Sequence, residues 1–114
     1  GDELLTWEAI HRETAAALGV EPVLIPMTSQ DICRIHPHHV GGLLGDKSHS
    51  AIFDNAKVKG LVPDFRQRVC FAEGIRRTIA WFRADPARQT ANPKADADLD
   101  TLVQAARRSD SAAG

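Results

Sequence analysis

The sequence predicts an α+β fold, with three to four helices and one or two short strands, and two observations lead to it. Phe71, Ile75, Ile79 and Phe82 recur every three or four residues, the spacing of an apolar helix face, with Arg76, Arg77 and Arg83 on the other side. Val23-Leu24-Ile25-Pro26-Met27 is an apolar run bounded by prolines, too short for a helix and suited to an edge strand.

The remaining elements follow in chain order. Thr6 is a plausible N-cap for a helix over 6–18, in which Trp7, Ile10, Thr14, Ala17 and Leu18 keep helical spacing until Gly19 closes it. Thr28 or Ser29 caps a second, short helix through Asp31, Ile32 and Ile35, stopped by Pro37, because the residue before proline avoids helical geometry. From His38 to Ser50, three glycines and the Leu43-Leu44 pair read as a loop with an apolar centre that packs over another surface. Ala51-Ile52-Phe53 reads as a short extended segment, and Asp54 or Asn55 caps a brief helix from Ala56 to Lys59. After the Pro63-Asp64 turn comes the strongly amphipathic helix from Phe71 to Asp85. Residues 87–95 read as a polar linker, residues 96–108 as a marginal terminal helix with acidic residues at its start and Arg107 and Arg108 at its end, and residues 109–114 as a disordered tail.

Length and charge narrow the function classes. At 114 residues with a formal net charge of -1, the chain carries 14 basic residues scattered among 15 acidic ones, so neither a nucleic-acid footprint nor an anionic-membrane patch is present. No apolar run approaches the roughly 20 residues that span a bilayer. Cys33 and Cys70 lie far apart without CxxC spacing, which fits reduced thiols and a cytoplasmic setting. The start at Gly1, with a helix signal within six residues, leads to the expectation that the sequence is a piece of a longer protein.

Several motifs occur in a particular order. Gly1-Asp2-Glu3-Leu4-Leu5-Thr6-Trp7 opens the first helix, Leu18-Gly19-Val20-Glu21-Pro22 leads into the apolar run, and Phe53-Asp54-Asn55-Ala56-Lys57 precedes the Val62-Pro63-Asp64-Phe65 turn and the FAEGIRRTIAWF helix. Taken together, residues 1–86 resemble the C-terminal, substrate-binding segment of the extended short-chain dehydrogenases, the NAD-dependent epimerase/dehydratase family. The resemblance implies a parent enzyme of epimerase, dehydratase or reductase type, in a family that includes nucleotide-sugar enzymes, with NAD(P) as its cofactor. It also implies that this chain's partner is the nucleotide-binding half of that parent.

The family's chemistry is not carried by these residues. Its Tyr-x-x-x-Lys dyad needs a tyrosine to shuttle the proton, and the chain contains none, so no catalytic residue is assigned. Its cofactor cradle needs a glycine-rich turn between a strand and a helix; Gly41-Gly42-Leu43-Leu44-Gly45-Asp46-Lys47-Ser48 has the glycines without that setting, so no cofactor-binding residue is assigned either. The isolated chain is therefore expected to be inactive.

By position in the resemblance, Lys47, Ser48 and His49 are the substrate-binding candidates. The competing reading, that they are ordinary exposed loop residues, carries more weight for a lone lysine. His36, His38 and His39, with Cys33 upstream and His49 downstream, offer imidazole and thiolate for zinc. Their spacing matches no usual ligand pair, and Pro37 is expected to turn the rings apart, so no metal ligand is assigned. Three function classes follow: the substrate-binding lobe, a stand-alone homodimeric or partner-binding module, and, least favoured, a small metal-binding domain.

Overall fold

The computed structural model describes residues 2–113, with side chains to residue 109; Gly1 and Gly114 lie outside the described residues. Among the described residues the fold is all-α, and this corrects the α+β expectation. It comprises α1 (Trp7–Leu18), α2 (Ser29–Ile35), a π-helical turn (Gly41–Asp46), α3 (Ala56–Leu61), α4 (Phe71–Arg83) and α5 (Pro93–Ala113), with 3-10 turns at Pro37–His39 and Pro86–Arg88. The apolar run 23–27 and the segment 51–53 form no strand. Their backbones make no ladder, and an apolar, β-branched run becomes a strand only when a neighbour pairs with it.

The chain divides into two units, Gly1–Val23 with Ile52–Thr90, and Leu24–Ala51 with Ala91–Gly114. In the first unit, α1 packs on α4. The start of α1 is set by Thr6, extended at φ -78° and ψ 158°, whose Oγ1 accepts from the Ala9 amide at 3.1 Å. Its end is set by Gly19 at φ 74°, where the Gly19 and Val20 amides donate to the carbonyls of Ala16 and Ala15 at 3.1 and 3.0 Å, a Schellman closure. Ile10, Thr14, Ala15 and Ala17 form the inward face, while Trp7 and Leu18 stay exposed. On α4, Phe71, Ile75 and Ile79 are half-buried, and Phe82 at the end of the stripe is exposed.

The N-terminal strap completes this unit. Cys70 offers α4 no side-chain cap, and Glu3 takes that role: its Oε2 accepts from the Phe71 amide at 2.6 Å, at the positive end of the helix dipole. Beside it, Asp2 donates its amide to Gln67 Oε1 at 2.9 Å and accepts from Lys59 Nζ at 2.7 Å and Asn55 Nδ2 at 3.3 Å. Of the two cap candidates for α3, Asp54 is therefore the one bonded to the helix start, accepting from the Ala56 amide at 2.9 Å, while Asn55 reaches back to Asp2.

In the second unit, Thr28 caps α2 by accepting from the Asp31 amide at 3.1 Å. Pro37 ends that helix and begins a 3-10 turn. The glycine-rich stretch is helical rather than a loop: the Lys47 amide donates to the Gly42 carbonyl at 2.8 Å, the i→i+5 pattern of a π turn. α5 begins at Pro93, inside the stretch read as linker, because Asn92 Oδ1 accepts from the Ala95 amide at 3.2 Å and proline suits the first helical position. It runs through the expected terminal helix and on to Ala113, into the segment read as a tail.

Very little of this is core. Among the described residues only Ala15, Cys33 and Ala106 count as buried apolar side chains. The chain exposes 9177 Å², whereas even two independent compact bodies of half its mass would expose about 7,400 Å².

Two glycines make a contrast that denaturation can test. Gly19→Ala places a Cβ in the left-handed region and is expected to destabilise by about 1 kcal/mol. Gly60→Ala, inside α3 with open space around its Cβ position, is expected to stabilise by about 0.5 kcal/mol. Urea midpoints moving in the same direction for both variants would contradict this account.

Candidate functional site

The second unit brings three imidazoles together. The 3-10 turn after α2 folds His36, His38 and His39 onto one another, with ring centroids 5.4 Å apart for His36–His38, 4.2 Å for His38–His39 and 6.2 Å for His36–His39. Pro37 thus gathers the rings instead of turning them apart, because the tight turn places residues on either side of it over the same edge. α5 supplies the counter-charge. His36 Nε2 lies 3.0 Å from the Asp98 carbonyl oxygen, and His38 Nε2 lies 3.6 Å from Asp98 Oδ2. Lys94, one turn earlier on α5, approaches the same carboxylate at 3.7 Å.

One potential ligand atom from each of His36, His38 and Asp98 falls within 4.8 Å of the others. A cleft of about 320 Å³ opens beside them, lined by His38, His39, Asn92, Lys94, Asp98 and Leu102 among others. Cys33, the thiol that the sequence places near the histidines, is buried and lies outside this group. Asp98 and Lys94 carried no sequence signal for this site, being some 60 residues from the histidine turn in the chain.

The residues expected to bind substrate lie elsewhere. Lys47 closes the π turn through its backbone, and the Ser48 hydroxyl donates to the Gly45 carbonyl at 2.7 Å, which uses its proton and leaves its oxygen able to accept. Lys47, Ser48 and His49 are all exposed. A Cβ added at Gly41, Gly42 or Gly45 would meet nothing within 4 Å, and none of the three has positive φ. These glycines therefore do not form the close-fitting backbone cradle that a dinucleotide pyrophosphate needs, and the residues present do not fit NAD(P).

The first unit has a shallower cleft of about 420 Å³, lined by Gln67, Val69, Cys70, Phe71, Gly74, Ile75 and Thr78. Its surface also carries Trp81, crossed by the Arg88 guanidinium 4.2 Å from the ring centroid and edge-on to Phe82 at 5.0 Å. No helix among the described residues is long and apolar enough to cross a membrane. No protein-family model, curated protein or solved structure matches the chain.

The exposed charges are organised around carboxylates. The hydrogen bond from Lys59 holds the Asp2 carboxyl below its ordinary pKa, with Asn55 adding to it. Hydrogen bonds from Arg76 and then Arg77 do the same for Glu73, and the Thr28 hydroxyl does so for Asp31. A carboxylate depressed in the folded state contributes stability above its unfolded pKa, and that contribution disappears as pH falls through the folded value. The urea midpoint is therefore expected to hold steady from neutrality down to about pH 5 and to fall below about pH 4. Asp2→Asn is expected to shrink that fall, and a midpoint that rises on acidification would refute the linkage.

Proposed function

We propose that the chain is the substrate-binding C-terminal lobe of an NAD(P)-dependent extended short-chain dehydrogenase, of epimerase, dehydratase or reductase type, and that it performs no turnover alone. The observation that carries this reading is the apolar surface left uncovered on the first unit. Trp7 is 69% exposed, Leu61 74% and Leu4 71%, in a chain whose helices bury almost nothing against one another. Large apolar side chains in that state are available to a covering surface. The ordered motifs from Asp2 to Phe82 supply its identity, the nucleotide-binding half of the parent. NAD(P) belongs to that half, because this chain has neither the tyrosine nor a fitting glycine turn. Within the lobe, Lys47, Ser48 and His49 are the residues offered to substrate, which in the parent need not be a sugar nucleotide, since Lys47 stands where a phosphate-binding arginine is common in such enzymes. A cytoplasmic setting accompanies this reading.

The same surface favours a second reading, in which two copies of the chain, or the chain and another protein, cover each other's apolar faces and no dehydrogenase half exists. Measurement separates the two. The purified chain is expected to show no saturable NAD or NADP binding and no turnover, and either activity would overturn the lobe assignment. The native protein is expected to run to about 300 residues, the size of a nucleotide-binding half plus this lobe. An intact mass matching these 114 residues alone, with a dimer in sedimentation, would establish the interaction module instead.

A further inference from the structure

We infer that His36, His38 and Asp98 form a binding site for a divalent transition-metal ion of the zinc class, and that the ion ties α5 to the turn following α2. The inference does not rest on the lobe reading, since that reading gives no role to any of the three residues.

The donor set defines the ion class. Two neutral imidazoles and one carboxylate suit zinc and its first-row neighbours, whereas magnesium and calcium take oxygen ligands. Ligand atoms within 4.8 Å of one another can draw in around an ion at the usual distance of about 2 Å once the 3.0 Å contact of His36 Nε2 with the Asp98 carbonyl gives way. The exposures permit this movement: the His38 side chain is 51% exposed and that of Asp98 27%. Three protein ligands leave a coordination position facing the cleft, where water or the neighbouring His39 can complete a tetrahedron.

The charge arrangement already favours a cation. Lys94 Nζ stands 3.7 Å from Asp98 Oδ2 on a side chain that is 82% exposed, so the ammonium is free to leave when a divalent ion arrives. The ion's effect is topological. His36 and Asp98 are separated by 62 positions, and the second unit is made of two chain segments, 24–51 and 91–114. A metal bridge between them closes a long loop and supports a small unit whose buried apolar residues, among the described residues, are Cys33 and Ala106.

The probe is zinc chloride, titrated into the full 114-residue chain by calorimetry and followed by the histidine ring resonances. Binding is expected to be saturable at one ion per chain, with the His36 and His38 rings shifted and the His11 and His49 rings unmoved. Asp98→Asn, which keeps the side-chain shape, is expected to weaken binding by at least about tenfold, the scale on which metal-site substitutions act. Lys94→Ala is expected to tighten it severalfold by removing the competing ammonium, a gain that misfolding cannot mimic. His49→Ala is expected to bind as the parent chain does. The site is overturned if no saturable heat is seen, if the His36 and His38 resonances stay in place at saturation, or if Asp98→Asn and Lys94→Ala both bind like the unaltered chain.

Discussion

The bond from the Glu3 carboxylate to the Phe71 amide is the interaction on which the first unit turns. α4 is the most amphipathic segment of the chain, yet it begins at a cysteine that gives its first turn no side-chain partner. A helix start needs acceptors for its free amides, and here the acceptor comes from 68 residues away in the chain. Because Asp2 is held at the same time by Lys59, Asn55 and Gln67, the strap joins α3, the turn after it and α4 before α1 has begun. The direction from which α1 approaches α4 is thereby constrained. Arg83 adds a tie at the far end, donating to the Leu18 carbonyl at 2.7 Å where α1 closes.

Polar ties matter this much because apolar burial is so small. In a larger domain, side chains packed out of water would fix helix positions, and surface hydrogen bonds would add little. Here the helices meet through half-buried side chains, and the exposed apolar side chains and the polar clasps are two aspects of the same shortage. The histidine turn follows the same logic in the second unit. Its rings and Asp98 supply polar contacts between the turn and α5, and an ion there would add a connection that the apolar residues do not.

What was legible in the sequence was what local chemistry decides. Thr6, Gly19 and Thr28 set helix ends through their own side chain or backbone, Pro37 stopped α2, and the spacing of Phe71, Ile75 and Ile79 marked the inward face of α4. The errors arose where a distant partner decides. The run 23–27 has the composition of a strand, but no neighbour pairs with it and it forms no regular element. The glycines at 41–45 read as a loop, and only the i→i+5 bonding of the folded backbone identifies the π turn. Asn92-Pro93 was a readable helix start, missed because the polar residues around it resembled a linker. The histidines were visible as a group, but Asp98 could not be, since nothing in the spacing of one segment specifies which residue of another will face it.

The two units are interleaved along the chain, each built from one early and one late segment. During synthesis the α1 region emerges before α4 and must wait for it, and the α2 region must wait for α5, so the two units have their full sets of partners only once α4 and α5 have left the ribosome. Contacts this far apart in sequence slow folding, because the entropy of closing the loops is lost before the contacts that compensate for it form. In that interval Trp7, Leu4 and the apolar run at 23–27 are available to any other apolar surface. A segment of this connectivity depends on how promptly α4 and α5 are made, and a pause in translation between α3 and α4 would leave both units open at once.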